Sequence, residues 1–276
     1  DNTADQCRGG ALYVLAYSGA EVEQDRRAFI QQHSEPKFLM LTSVSLEDNT
    51  IVKNNKAQQG GAISTRGANH PTKPTDWVVT NASSKLYEDA ELFWPLYVGL
   101  DTISVHDNRA DFGGAFHIEN SALNVDHTNI ERNIADSENK IIGGGGAAYV
   151  TATARWTSFL GKDVNFKDNS APNSNGGCIY VTSTSKDLYT VLLDVDGGSM
   201  MGSKAKLNGG HIFASLAMIN IKNFKLANSE VEIAKGTLGG AMFMTDSHLI
   251  TNNVDIAESK AYNGGCLYAE QSSLLE

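Results

Sequence analysis

The stretch 166–182, FKDNSAPNSNGGCIYVT, contains two linked signatures that recur along the chain. The first is an apolar residue followed three positions later by Asn-x-Ala, as in Phe166, Asn169 and Ala171. The second is Gly-Gly, a small residue and an apolar residue, as in GGCI at 176–179. Self-similarity of this kind is the signature of a repeat architecture, in which each repeat buries its apolar face against its neighbours.

The doubled glycine occurs eight times, at successive spacings of 51, 53, 32, 31, 33, 30 and 25 residues. The two long spacings leave room either for one repeat with an insertion or for two short repeats. Glycine adopts left-handed backbone conformations at little cost, so we predict that each pair forms the same bend in successive repeats. The predicted bend residues are Gly9, Gly10, Gly60, Gly61, Gly113, Gly114, Gly145, Gly146, Gly176, Gly177, Gly209, Gly210, Gly239, Gly240, Gly264 and Gly265.

The segments after the glycines predict short strands. AFHIE (115–119), CIYVTST (178–184) and AMFMT (241–245) are rich in β-branched and aromatic residues, as strands are. A unit of about 30 residues with two or three short strands is typical of one coil of a parallel β-helix. We therefore predict an all-β solenoid of about eight to ten coils. A β-sandwich or β-propeller is the alternative, and a propeller blade of about 40 residues fits the spacing less well.

The repeat covers the whole chain, so we expect one domain over residues 1–276, as a piece of a longer protein. Loop insertions are expected at about 19–45 and 66–98, where the regular spacing of the repeats is interrupted. The second insertion contains Trp77, Trp94 and the sequon Asn81-Ala-Ser, which predicts N-glycosylation if the protein is secreted by a eukaryote.

Alignment on the glycines places the following four residues of each repeat in columns. The second and fourth columns are mostly aliphatic, and we predict that they face the interior. The first column (Ala or another small residue) and the third column (mostly aromatic) would then face outward, although the reverse orientation remains open. A strand that is apolar on both faces is usually covered on both. The candidate partner-binding residues are Tyr13, His117, Tyr149, Tyr180, Phe213, Phe243 and Tyr268 of the third column, with Trp77 and Trp94.

The composition excludes several classes of function. The 276 residues have a formal net charge of −10, which argues against binding nucleic acid through its phosphates. No apolar run approaches the roughly 18–20 residues of a membrane-spanning helix.

The three cysteines are too few for a disulfide framework. Cys178 and Cys266 occupy the same column three coils apart, about 14 Å at the usual strand spacing, which is too far for a disulfide. Two interpretations remain for Cys7: a bond to a thiol outside this chain, or a buried free thiol.

Many parallel β-helices cleave polysaccharides, a reaction that needs two or three convergent carboxylates. Asp107, Asp168 and Asp255 are candidates at roughly matching positions, but each lies in a polar turn, where Asp is common. His106, His117 and His127 lack the spacing of a metal site. We therefore predict no catalytic site, no metal site and no cofactor.

The linked tetrapeptides, such as Phe166-Lys-Asp-Asn169 and Gly60-Gly-Ala-Ile63, resemble the repeats of chlamydial polymorphic outer membrane proteins. Those repeats form the β-helical passenger domains of autotransporter adhesins, and similar ones occur in large surface proteins of ciliates and other protists. The resemblance covers nearly the whole chain, although several repeats lack the Asn.

The resemblance implies a right-handed, single-stranded parallel β-helix that is extracellular or on the cell surface. We accordingly predict a non-enzymatic structural and adhesive module that packs into a larger surface assembly or filament. Its expected partners are other protein subunits or copies of itself. The alternative is a β-helix that binds or cleaves polysaccharide.

Overall fold

A computed structural model describes residues 3–15, 43–67, 96–137, 143–153, 157–184, 190–232 and 235–275. These ranges form β-strands and turns, and none of them contains a helix. The strands are β1 (Thr3–Arg8), β2 (Leu12–Leu15), β3 (Ser43–Leu46), β4 (Ile51–Lys53), β5 (Lys56–Gln59), β6 (Ile63–Arg66), β7 (Tyr97–Asp101), β8 (Ser104–His106), β9 (Arg109–Phe112), β10 (Phe116–Glu119), β11 (Ala122–Asp126), β12 (Asn129–Glu131), β13 (Ile134–Ala135), β14 (Ala148–Ala152), β15 (Thr157–Lys167), β16 (Ser170–Ala171), β17 (Ile179–Ser183), β18 (Val191–Met201), β19 (Lys204–Ala205), β20 (Ile212–Ser215), β21 (Met218–Ala227), β22 (Glu230–Val231), β23 (Met242–Thr245), β24 (His248–Ala257), β25 (Leu267–Glu270) and β26 (Ser273–Leu275).

The strands form three sheets. The pre-glycine sheet has the order β1-β5-β9-β13-β16-β19-β22, and the post-glycine sheet has the order β2-β6-β10-β14-β17-β20-β23-β25. The long-strand sheet runs β26-β24-β21-β18-β15-β11-β7-β3, with β12, β8 and β4 continuing from β15. Every pairing between these strands is parallel.

We call one passage of the chain through the three sheets a rung. Stacked rungs of parallel strands are consistent with a parallel β-helix or a closely similar solenoid. The antiparallel pairing of a β-propeller blade or a Greek-key sandwich does not occur among the described strands, so that alternative is wrong.

The doubled glycines lie in one row across the stack. Each second glycine from Gly10 to Gly240 donates its backbone N–H to the carbonyl of the first glycine in the next rung, at 2.9–3.4 Å. The first glycine of every pair has a positive φ, from 61° at Gly60 to 68° at Gly145. Residues with a Cβ adopt this conformation only with strain.

Each long glycine spacing corresponds to a single rung with an insertion, because β2 pairs directly with β6, and β6 with β10. The predicted limits of the insertions are too wide at three points. Ser43–Leu46 and Tyr97–Asp101 are strands, and Arg66 is the last residue of β6. These segments belong to rungs because their alternate apolar residues, such as Val44 and Val98, pack on the core.

The core lies inside the stack, between the three sheets. From Ile63 to Met242, the residues of the second column are at most 1% exposed. The first column also faces inward, which corrects the predicted orientation: Ala62, Ala115, Cys178 and others in this column are fully buried in the core cluster. These residues precede the strand, at the bend, so the alternation of faces within a strand does not apply to them.

Candidate functional site

The aromatic third column forms a stack on the outer face of the post-glycine sheet. The parallel register places equivalent residues of successive rungs side by side, at β-sheet spacing. Neighbouring ring centroids are 4.6–5.7 Å apart, and the planes of neighbouring rings differ by 3–17°. The stacked rings are His117, Tyr149, Tyr180, Phe213, Phe243 and Tyr268.

The stack does not include every predicted partner-binding residue. Tyr13 is separated from it by Ser64, which occupies the same column one rung away, and the Tyr13 side chain is 41% exposed. At the other extreme, His117 is only 3% exposed. The stacked rings are therefore largely covered, and the surface that they offer consists mainly of ring edges.

Neighbouring rings in the stack cover one another's faces. Tyr149, Tyr180, Phe213 and Phe243 each have another ring on both faces, and Phe112 adds an edge contact to Tyr149. A sugar ring binds an aromatic side chain by placing its C–H bonds on a free, electron-rich ring face. The interior of the stack offers no such face, so the geometry disfavours the glycan-stacking alternative there.

Burial also changes the acidity of the stacked tyrosines. The apolar surroundings raise the pKa of Tyr149, with a smaller contribution from the neighbouring Tyr180 and Glu119. Burial likewise raises the pKa of Tyr180. Both hydroxyls are neutral across the physiological pH range, so they are hydrogen-bonding groups and not charged ones.

The Asn of the first signature forms a buried amide ladder. Asn108 Oδ1 accepts hydrogen bonds from the backbone N and from Nδ2 of Asn55, and Asn133 and Asn169 continue the pattern along the stack. Asn133 Nδ2 donates also to the carbonyl of Val105, at 3.1 Å. All four amides are at most 4% exposed. The ladder therefore pairs polar groups that would otherwise be buried without partners.

The left-handed conformation falls on the residue before each Asn. The φ angles there are 50–57°. The residues concerned are Asn54, Asp107, Arg132 and Asp168.

His211 compensates for the loss of this Asn in a later rung, a role that the sequence analysis missed. Asn108 Nδ2 donates to the carbonyl of His106, two residues earlier, at 3.0 Å. Where Ser229 occupies the Asn position, the equivalent carbonyl is that of Ala227, and His211 Nε2 lies 3.1 Å from it. A carbonyl only accepts, so Nε2 carries the proton. The available signal was that a His in the small first column coincides with Ser at the Asn position.

The His211 ring is fully buried. Burial lowers its pKa to about 4, opposed in part by the hydrogen bond to the carbonyl of Ala227. Removing the charged form from water outweighs the gain from one hydrogen bond, so the folded protein holds His211 neutral at pH 7.

His211 is expected to make the protein less stable in mild acid. A histidine in an unfolded chain has a pKa of about 6.5, so between that value and about 4 the unfolded state binds more protons than the folded state. The free energy of unfolding should therefore fall by about 3 kcal/mol as the pH falls through this window. His211→Gln keeps a donor but cannot titrate. Urea unfolding at a series of pH values gives the free energy of unfolding of the wild type and of His211→Gln. The difference between the two proteins should decrease by this amount as the pH falls, and parallel pH profiles would contradict the assignment.

The three candidate catalytic carboxylates do not converge. Arg132 lies in the rung between those of Asp107 and Asp168, and Asp255 pairs with Lys225 in a different column. The expectation that Asp255 matches the other two is therefore wrong. Asp255 lies within β24, three residues before Glu258, and Glu258 is the residue that has the position and the positive φ of Asp107 and Asp168.

Asp107 forms an ion pair with Arg132. Its two carboxylate oxygens accept hydrogen bonds from Arg132 Nε and Nη2, at 2.8 and 2.9 Å, and His106 Nδ1 lies 2.6 Å away. The hydrogen bonds from Arg132 lower the pKa of Asp107 to about 2. A carboxyl group that is ionised throughout the physiological range is a poor general acid.

The three histidines considered together in the sequence lie apart. His106 is in β8 of the long-strand sheet, and His117 is in the aromatic stack. His127 lies between Asp101 and Asp163, with each of its ring nitrogens 3.5 Å from a different carboxylate, on an exposed surface. Among the described residues, no group of three His, Cys, Asp or Glu side chains is arranged to hold a metal ion.

Cys178 and Cys266 are free thiols in the first column. Burial raises the pKa of the Cys178 thiol. Cys178 is fully buried, whereas Cys266, in the rung at the edge of the sheet, is exposed. The prediction about Cys7 concerns a side chain outside the described part of the structure, as do those for Trp77, Trp94 and Asn81.

The chain matches no family model, no curated protein and no solved structure. In the part of the chain that the structure describes, no helix has the length and apolar character required to cross a bilayer.

Proposed function

We propose that this chain is a non-enzymatic structural and adhesive module that is extracellular or on the cell surface. In this proposal it is a right-handed, single-stranded parallel β-helix of about eight to ten coils. It packs into a larger surface assembly or filament through other protein subunits or copies of itself. The resemblance of its repeats to those of polymorphic outer membrane proteins supports the location and the handedness.

The observation that carries the proposal is the outer face of the post-glycine sheet. Half-buried rings such as Tyr180 and Phe213 alternate along their strands with small polar residues such as Thr182 and Ser215. From His117 to Tyr268 a ring repeats at every rung, and the face offers ring edges and hydroxyls. Apolar area combined with satisfiable polar groups is what a protein–protein interface requires at its core and rim.

The distribution of polar side chains supports a structural role. The buried amides of the Asn ladder bond from rung to rung, and Asp107 is held by Arg132 of the neighbouring rung. Bonds of this kind join one rung to the next, so they stabilise the stack. A catalytic site would instead need titratable groups that converge on one substrate atom.

Sedimentation velocity over a range of concentrations tests the proposal for copies of the chain. We expect the wild type to associate and Ser215→Arg to prevent association, because the new charge would be desolvated between two apolar faces. Ser199→Arg is the matched control, since Ser199 is a half-buried serine on the long-strand sheet. If Ser215→Arg and Ser199→Arg associate to the same extent, this face is not the interface. Release of reducing ends from a polysaccharide panel would overturn the non-enzymatic role.

A further inference from the structure

Tyr149 and Tyr180 are neighbouring members of the aromatic stack. The parallel register of β14 and β17 pairs these two residues directly. Their ring centroids lie 5.0 Å apart, and their ring planes differ by 12°. In the described part of the chain, no other two tyrosines form a ring contact. The fold therefore places two phenols face to face in successive rungs.

The rings on either side of this pair are not phenols. His117 stacks on the other face of Tyr149, and Phe213 stacks on the other face of Tyr180, at centroid distances of 5.5 and 4.6 Å. A phenol loses an electron and a proton more readily than a benzene or imidazole ring, because its oxygen shares the resulting unpaired electron. Oxidation of the stack is therefore expected at the two tyrosines, whose faces are covered by rings of the same chain.

The edges of the two phenol rings remain accessible. Both side chains are half-buried, and neither hydroxyl is among the buried polar atoms that lack a partner in the described residues. Burial raises the pKa of both phenols, so each phenol releases a proton when it is oxidised. The ring edges give a small oxidant access to the pair and give the proton a route to water.

We propose that Tyr149 and Tyr180 form a site of oxidative cross-linking, at which a one-electron oxidant, such as the activated haem of a peroxidase, converts the pair to dityrosine. Two equivalents of the oxidant take one electron each, and each phenol gives its proton to water, which leaves two phenoxyl radicals. The radicals form a bond between Cε of Tyr149 and Cε of Tyr180, the carbons beside the phenolic carbons. Each of these carbons then loses its hydrogen as a proton while its phenolic oxygen gains one, so both rings become phenols again.

The stacked geometry suits this coupling. The unpaired electron of a phenoxyl radical occupies π orbitals, whose lobes point above and below the ring plane. The new bond therefore begins between ring faces, which is the arrangement that Tyr149 and Tyr180 already have. Because the paired strands hold the two rings together, coupling does not depend on an encounter between molecules.

The cross-link joins two rungs covalently. β14 and β17 are otherwise joined by the backbone pairing of their parallel strands. A covalent bond between them closes a loop in the unfolded chain and reduces its conformational freedom, as a disulfide does. Cys178 and Cys266 are free thiols, so the tyrosine pair supplies a kind of bond that these two cysteines do not.

Photochemical oxidation of the folded chain tests the proposal. Unlabelled and heavy-nitrogen-labelled protein are mixed at low concentration, illuminated with tris(bipyridyl)ruthenium(II) and persulfate as the source of one-electron oxidant, and digested. We expect a cross-linked pair of peptides that contain Tyr149 and Tyr180, lighter by two hydrogen atoms than the separate peptides. Both peptides of the pair should be unlabelled or both labelled. Pairs with mixed labelling would mean that the bond forms between chains and would overturn the proposal.

Two phenylalanine variants separate the position of a tyrosine from the number of tyrosines. Tyr149→Phe keeps a ring in the stack but removes one phenol of the pair, so the dityrosine fluorescence of the oxidised protein should fall at least about tenfold. Tyr268→Phe is the matched control, because Phe213 and Phe243 separate Tyr268 from Tyr180 in the same stack. Its fluorescence should stay within about twofold of the wild type.

Three further outcomes would overturn the proposal. The first is an equal loss of fluorescence in Tyr149→Phe and Tyr268→Phe. The second is the absence of the cross-linked pair from the oxidised wild type. The third is the same yield of that pair in urea, because without the rungs the two phenols are no longer held face to face.

Discussion

Alanine at Gly146 is expected to abolish most of the stability of the stack, whereas alanine at Gly265 is expected to have little effect. A Cβ at Gly146 would lie 2.3 Å from both the carbonyl oxygen of Gly177 and the backbone nitrogen of Ser170. Both atoms belong to the next rung, whose hydrogen bonds hold them in place, so the clash is relieved only by separating the rungs. We expect a loss of about 4 kcal/mol or more in the free energy of unfolding.

Gly265→Ala is the matched control, at the equivalent bend. Its Cβ would meet Ser259 O at 3.4 Å, an ordinary contact distance. The alanine also restricts the unfolded chain, so the net change should lie within about 1 kcal/mol. Urea unfolding followed by circular dichroism compares the two variants with the wild type. A Gly146→Ala protein as stable as the wild type would disprove the close approach of the rungs at the glycines.

Removal of one amide from the Asn ladder is expected to have the second largest effect. Asn133→Ala takes the acceptor from Asn108 N and Nδ2, and the donor from Val105 O and Asn169 Oδ1. All of these groups are buried away from water, so the lost bonds are not replaced. We expect a decrease of about 3–5 kcal/mol in the free energy of unfolding.

Asn129→Ala serves as the comparison because Asn129 lies four residues earlier in the same rung and is exposed. Its side chain only accepts a long hydrogen bond from Asn165 Nδ2, at 3.4 Å. That variant should remain within about 0.5 kcal/mol of the wild type. If the two alanine variants shift the urea midpoint equally, the ladder does not stabilise the stack.

The register of the post-glycine sheet was predictable from the sequence to the residue. Alignment on the glycines pairs Phe116 with Ile63 and with Ala148, and the strands pair in this way. The prediction succeeds because a bend at the same place in every rung leaves the following strands no freedom to slip. The parallel, all-β character follows for the same reason.

The orientation of the first column could not be predicted by the same argument. Strict alternation would place Ala115 on the face opposite Phe116, yet both are fully buried. The chain turns a corner between Gly114 and Phe116, and at a corner two successive side chains can point to the same side. A sequence pattern that counts residues does not contain the angle through which the backbone turns.

From the sequence alone, the signature Asn suits either an inward ladder or a left-handed corner. The structure divides these roles between neighbours: Asn108 forms the ladder, and Asp107 before it takes the positive φ. Only the neighbouring rung makes the distinction, because the partners of Asn108 are 25 and 53 residues away along the chain.

The sequence by itself determined that this protein is a stack of similar parallel β-rungs, since eight equivalent glycine bends are compatible with few other folds. The tertiary structure alone decided which groups remain reactive or available. The aromatic rings cover one another's faces, Arg132 occupies the carboxylate of Asp107, and the next rung holds Asn175. These differences arise between residues of the same type in the same local pattern. They depend on atoms contributed by adjacent rungs, and a local sequence pattern does not specify those atoms.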